Sequence, residues 1–218
     1  MLFLARLTVN TSRLARITSV KSIVLHSSNV FTQRIHPAYS PGTIACSPMT
    51  TFLATTHVLI AMGSNSGDRV AHLAAAVQQI LALPDTRVVR VADAIETAPV
   101  DCPPGSAGFL NSAVLIETTL QPRALLTLLQ QIERDAGRIK TTRNAPRTID
   151  LDVLLFGDLI INDPDFVVPH PRMLERAFVL IPAAQIAPDM RHPQTEMLLR
   201  HALERLVPSP LFLVNPEG

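Results

Sequence analysis

Asp150 and Asp152 are the two residues of this 218-residue chain best placed to do chemistry. They directly follow a stretch carrying Arg138, Lys140, Arg143 and Arg147, with no acidic residue between Asp135 and Asp150. Residues 148–156 (TIDLDVLLF) predict a strand. Strand period two puts both carboxylates on one face, roughly 6.5–7 Å apart at the backbone. Their neighbours Leu151, Val153, Leu154 and Leu155 are apolar, so the pair belongs to a core strand. Two like charges so placed are costly unless a cation holds them. Mg²⁺ suits, because it takes one or two carboxylates and fills its other positions with water and phosphate oxygens. The adjoining Arg/Lys loop suits a polyphosphate, and metal-held phosphates with Arg donors recur in phosphoryl transfer. Taken singly, the aspartates could be edge charges that resist aggregation, and the cations a solvated loop or nucleic-acid patch. Side by side they favour the chemical reading.

The elements that must position this segment follow from hydrophobic periodicity. Residues 57–62 (HVLIAM) predict a first strand, ended by a turn with capping residues at 63–68. That turn joins strand to helix but has no Lys and is not a phosphate loop. A helix is expected over 68–83 with Leu73, Val77, Ile80 and Leu81 along one side, closed by Pro84. Strands follow at 87–96 and, after a Pro/Gly-rich loop over 98–108, at 109–120. Pro122 suits a first helical turn, Leu125, Leu128, Leu129, Ile132 and Ala136 trace a helical stripe, and Gly137 is the stop. Beyond the carboxylate strand come a hairpin-like piece near 159–161, loops near 169–171, a short helix near 172–175 and a late helix over 195–206. The order βαββαβ is that of an α+β, ferredoxin-like sandwich with an antiparallel sheet, here with C-terminal additions. Many functions share that arrangement.

Composition supports a packed domain: 47% of residues are hydrophobic and 17% charged, with no apolar run near 18 residues. The net charge of +1 conceals two segments. Residues 1–56 hold five of the 19 basic side chains (Arg6, Arg13, Arg16, Lys21, Arg34) and none of the 18 acidic ones, leaving −4 for the rest. This acid-free, Ser/Thr/Arg-rich stretch is expected to be a disordered, transit-like leader, or an upstream misreading of a start at Met49. A start at Met49 gives a cytoplasmic protein; a real transit peptide over 1–48 gives a mitochondrial or plastid one. The catalytic domain is expected over 57–207 and a tail over 208–218. Cys46 and Cys102 are too few for a disulfide framework or zinc ribbon and point to a reducing compartment.

The chain resembles the 6-hydroxymethyl-7,8-dihydropterin pyrophosphokinase family. The resemblance rests on APRTIDLDVLLFG at 145–157, supported by IAMGSN at 60–65, ETAP at 96–99, FLNSAV at 109–114, Ile132-Glu133 with Gly137-Arg138, and Val168-Pro169-His170. It implies transfer of pyrophosphate from ATP to the pterin hydroxymethyl group, leaving AMP, in tetrahydrofolate biosynthesis. It further implies that Asp150 and Asp152 bind two Mg²⁺ ions and that Arg138 and Arg147 contact phosphates. Arg143 matches a loop arginine that helps close the site. Gln131, Glu133, Val153, His170 and Arg176 match ATP-binding positions. Phe109 and Phe178 would sandwich the pterin, Asn111 would recognise its edge, and Thr97, Ala98 and Val100 would line its pocket. The chain departs from the family at Asn144, where Trp is frequent in a loop one residue longer, at Pro171 for Tyr, and at Lys140 for Arg. These changes bear on lid closure and ATP affinity. The expected partners are the two small-molecule substrates, without nucleic acid or membrane, on a monomer.

Three other readings compete with this one. A P-loop kinase is excluded because G-x-x-x-x-G-K-[ST] occurs nowhere. A ferredoxin-like RNA-binding module needs exposed aromatics on a basic surface, whereas this chain has no Trp and eight Phe. A Mg²⁺-dependent phosphohydrolase would use the same carboxylates with water as acceptor; Phe109, Asn111 and Phe178 favour an organic acceptor. The intact set Arg138, Arg147, Asp150 and Asp152 argues against a degenerate homologue.

Overall fold

A strand apolar on both faces has to be covered on both, and the first strand, β1 (Thr56–Ser64), is of this kind. Its Val58, Leu59 and Ile60 are all fully buried, with alternate side chains in different cores. The computed structural model describes residues 54–98, 108–137 and 147–207. In it β1 pairs antiparallel with β4 (Phe109–Thr118) on one side and β5 (Asp150–Phe156) on the other. The outer positions next to β4 are taken by β2 (Thr86–Val91) and β3 (Ile95–Thr97), giving the order β2-β4-β1-β5 with β3 extending β2 along the same neighbour. With α1 (Arg69–Leu81) after β1 and α2 (Pro122–Asp135) after β4, this is the expected ferredoxin-like arrangement.

Local chemistry sets the helix ends. The Asp68 carboxylate accepts a hydrogen bond from the Ala71 N–H at 3.1 Å and caps α1, an interaction worth about 1 kcal/mol. Pro122 opens α2 where its missing N–H has no helical partner to lose. Gly137, at φ +84°, takes the left-handed turn that ends the helix, with its N–H on the Arg134 carbonyl at 2.9 Å. Leu73, Ala76, Val77 and Ile80 of α1 and Leu125, Leu129 and Ile132 of α2 pack on one face of the sheet.

The other face carries the C-terminal additions. A 3₁₀ turn (Met173–Glu175), α3 (Ala177–Ile186) and α4 (Leu199–Leu206) pack over Leu59, Ala113, Leu115, Leu154 and Leu155. They cover only part of that face. The end bearing Gly63, Phe109, Asn111, Asp150 and Asp152 lies beyond their core.

Four expectations are corrected. The strand expected over 87–96 is split, because residues 92–94 leave the ladder while the Ala92 N–H still donates to the Ala113 carbonyl at 2.8 Å. The hairpin lies later, as β6 (Ile161–Asp163) paired with β7 (Phe166–Val168), and Arg123 bridges it to α2 through Asp163 and Asp165. The late helix starts at Leu199, since Arg191 and Leu198 form a β-bridge ahead of it. Helix α3 was not expected at all. It is buried nearly all round, so it shows no amphipathic stripe, and Pro182 in its interior reads as a helix breaker. The expected tail and all but the last three residues of the expected leader, including Tyr39, Cys46 and Met49, lie outside the described residues, as does Cys102. Among the described residues no helix is long and apolar enough to cross a membrane.

Candidate active site

Antiparallel register assembles the site. Ile95, Asn111, Gly63 and Asp150 are successive cross-strand partners from β3 through β4 and β1 to β5, so they form one row on one face. Thr97 opposite Phe109 extends the row's polar end; Ala61 opposite Asp152 runs alongside it. Between Asn111 and Asp150 the floor is Gly63 and Ala61. Two strand spacings with almost no side chain leave a trough about 10 Å wide. A Cβ at Gly63 would lie 3.4 Å from the Asn111 Oδ1. Phe178, in the first turn of α3, packs against the core that borders the trough, half-buried like Phe109 at the far end of β4.

Each wall has its own chemistry. On the β4 side the Asn111 side chain is buried, and its Nδ2 donates to the Thr97 Oγ1 at 2.8 Å. That bond leaves Oδ1 facing Gly63 and the trough, an acceptor for an N–H. Ala98 is exposed just past β3. Arg69, which the sequence reading did not single out, binds the Gly108 carbonyl at 2.7 Å and the Glu96 carboxylate at 2.9 Å, and so ties the Thr97 and Phe109 ends together. On the β5 side, the Arg147 Nη1 donates to the Asp150 Oδ2 at 2.7 Å, while Asp152 is exposed. Leu151 points to the opposite core, as the strand period requires.

These carboxylates fit the inferred metal. The donors are oxygens only, without His or Cys, on one strand face beside a guanidinium suited to phosphate; this is the chemistry of a hard cation. Among the described residues no group of three or more His, Cys, Asp or Glu converges as a metal cage. A cation at Asp150 and Asp152 would therefore complete its coordination from a phosphate-bearing ligand and water.

Of the expected nucleotide residues, Glu133 and His170 meet the outer edge of β5. Buried Glu133 reaches from α2 to accept the Leu151 N–H at 2.8 Å, and the His170 N–H donates to the Leu154 carbonyl at 2.9 Å. Both bonds occupy main-chain groups that an edge strand would otherwise expose. The His170 Nδ1 accepts the Arg172 N–H at 3.2 Å, which puts its ring proton on Nε2. Burial, reinforced by the charges of Arg176 and Arg172, holds its pKa below the ordinary histidine value, so the ring is neutral at pH 7. The Arg176 guanidinium lies over the Phe178 ring, 5.7 Å from its centroid, linking this edge to the trough. Gln131 sits on the exposed side of α2, bonded to Asp135 and Arg134. The Val153 side chain is in the core across the sheet from the carboxylates. Arg138, Arg143 and Val100, with Lys140 and Asn144, lie outside the described residues.

The chain is similar to known proteins in sequence and in fold. The family model for 7,8-dihydro-6-hydroxymethylpterin-pyrophosphokinase matches residues 59–188. A 2-amino-4-hydroxy-6-hydroxymethyldihydropteridine pyrophosphokinase of Pseudomonas aeruginosa is 40% identical over 153 residues, 70% of this chain and 91% of that protein. One of Bacillus subtilis is 46% identical over 136 residues, covering 62% and 81%. The folic acid synthesis protein fol1 of Pneumocystis carinii is 35% identical over 73% of this chain, which spans only 21% of that longer protein. Among solved structures, a Plasmodium falciparum HPPK-DHPS shares the fold at a TM-score of 0.58 and 14% identity, over 72% of this chain and 46% of that one. On the extent of the family match and the coverage of the bacterial relatives, the chain belongs to the 7,8-dihydro-6-hydroxymethylpterin-pyrophosphokinase family.

Proposed function

We propose that the protein transfers the pyrophosphoryl group of ATP to the hydroxymethyl group of 6-hydroxymethyl-7,8-dihydropterin, giving AMP and the pterin diphosphate for tetrahydrofolate synthesis. The observation that carries this reading is the trough: a carboxylate wall for metal-bound phosphates faces an amide-and-ring wall for a flat heterocycle, across a floor of Gly63 and Ala61. The pterin stacks between Phe109 and Phe178, its edge N–H groups donating to the Asn111 Oδ1, with Thr97, Ala98 and Val100 beside it. Asp150 and Asp152 hold Mg²⁺, two ions in our reading, which when bound neutralises phosphate oxygens and aligns the reactants. Arg147, set against Asp150, presents its remaining N–H donors to the phosphates, and Arg138 does the same. The nucleotide lies along the β5 edge, with the neutral His170 offering its Nε2 proton, Arg176 its charge, and Gln131, Glu133 and Val153 completing the surroundings. Arg143 acts in closing the site over them.

The pterin hydroxyl oxygen forms a bond to the β-phosphorus as the bond from that phosphorus to the α,β-bridging oxygen breaks. The oxygen leaves with AMP, and the hydroxyl proton passes to solvent. The enzyme's share is mainly orientation and charge stabilisation. We take the monomer as the working unit.

The test is AMP release from ATP and Mg²⁺, with and without the pterin, for wild type and Asp152→Ala. Pterin-dependent AMP that falls at least a hundredfold in the variant supports the assignment. Pterin-independent ADP or phosphate would replace it with hydrolysis, and absence of any turnover would leave a binding module.

A further inference from the structure

We propose that Asn65 is a positioning residue for the reaction: it fixes Arg147 beside Asp150 by clamping Arg147's own backbone at two points. The Asn65 N–H donates to the Arg147 carbonyl at 3.1 Å, and the Arg147 N–H donates to the Asn65 Oδ1 at 2.7 Å. Asn65 follows β1 and Arg147 precedes β5, whose ladder ends at Gly63 opposite Asp150. The clamp therefore extends the β1–β5 pairing past its last rung, with a side-chain amide oxygen standing where a strand would offer a carbonyl. Asn65 is 5% exposed, so the bonds form away from water and their loss would leave a main-chain N–H and carbonyl poorly paired.

The consequence reaches the guanidinium. Arg147 is otherwise tethered to the site by its ion pair with Asp150, whose side chains are 32% and 26% exposed, a contact of modest strength alone. Fixing the arginine's N–H and carbonyl sets the direction in which its Cα–Cβ bond leaves the chain. The side chain then reaches Asp150 Oδ2 and whatever phosphate sits beyond it in one arrangement. Asn and Asp side chains supply a carbonyl-type acceptor at this reach in a turn, which Ser and Thr do more weakly. This inference rests on the reading of Arg147 as a phosphate-contacting group.

The experiment compares wild type, Asn65→Ala, Asn65→Asp, Arg147→Ala and the Asn65→Ala/Arg147→Ala double variant. It reads amide exchange at Arg147 by ¹⁵N NMR, Tm, and kcat and KM for pterin-dependent AMP formation. Asn65→Ala is expected to speed exchange at the Arg147 amide and lower kcat roughly 10- to 100-fold with little change in pterin KM. The double variant is expected to be no slower than Arg147→Ala. Asn65→Asp, which keeps the acceptor oxygen, is expected to keep the amide protected and recover most of the loss. If Asn65→Ala does not fold, that Asp variant decides: protected amide with recovered kcat supports the clamp, and protected amide with kcat lost overturns it. Unchanged Arg147 exchange in Asn65→Ala, or losses that multiply in the double variant, would also overturn it. Wild type that binds ATP but forms no pterin-dependent AMP sinks the functional reading, while Arg147 exchange still decides whether the clamp holds.

Discussion

At the scale of single residues the proposed site pairs groups that carry charge with groups that orient. Asn111 is the clearest candidate for orientation. Its Nδ2 is spent on Thr97, so the oxygen facing the trough cannot exchange places with the nitrogen without losing that bond. A buried acceptor lost to a substrate N–H costs about 1–3 kcal/mol, or roughly 10- to 100-fold in affinity. Asn111→Ala is therefore expected to raise pterin KM by that factor while the dissociation constant of a non-hydrolysable ATP analogue, measured by calorimetry, stays within about twofold. A matched loss of ATP affinity would mean that Asn111 supports the whole sheet end and not the heterocycle. Asp150 and Asp152 differ in the same way from each other: Asp150 shares its charge with Arg147, whereas Asp152 is the more exposed of the pair. On the proposed reading, Asp152→Ala removes a metal-holding carboxylate while leaving the Arg147–Asp150 ion pair in place.

At the scale of elements, β1 contributes to the site by what it lacks. Gly63 lies inside the strand, not in the turn after it, and keeps the trough open between two polar walls. Gly63→Val keeps strand propensity, and its Cβ meets Asn111 at an ordinary contact distance, so the fold should persist. Its two methyl groups would occupy the trough floor. Pterin binding followed by fluorescence quenching is expected to weaken at least tenfold with Tm within a few degrees of wild type; unchanged binding would show that the heterocycle sits elsewhere. The elements also explain what could be read in advance. Alternation alone put Asp150 and Asp152 on one face, because a period of two is indifferent to the partner strand. The α2 stripe and its Gly137 stop were equally local. The clamp between Asn65 and Arg147 was not, since its partners are 82 residues apart and nothing near either one announces the other. Neither was α3, whose uniform burial erases the periodicity by which helices are recognised.

At the scale of the whole molecule, one sheet carries two cores, and the second depends on loops that bury histidine. His170 anchors the segment before the 3₁₀ turn through the Leu154 carbonyl. His192 is 5% exposed between α3 and α4, and its Nδ1 has no hydrogen-bond partner among the described residues. Burial lowers the pKa of both, with the charges of Arg176 and Arg172 adding to the effect at His170. The sign follows directly. Each ring is neutral in the folded protein at pH values where the unfolded chain, titrating near 6.5, already takes up a proton. Their contribution to stability is full above about pH 6.5 and is lost as pH falls from there through the lowered folded values, by at most about 1.4 kcal/mol per pH unit for each group. Because both rings serve the layer that α3 and α4 lay over the sheet, the second core should be the first to loosen in mild acid. Thermal unfolding followed from pH 8 to pH 5 is expected to hold a level Tm down to about pH 6.5 and then decline. His192→Leu, which removes one titrating ring from an apolar site, should flatten part of that decline without moving the plateau downward by more than a few degrees. A Tm that stays level all the way down to pH 5 would overturn the histidine assignment and leave acid sensitivity to the carboxylate range, in ion pairs such as Arg123 with Asp163 and Asp165.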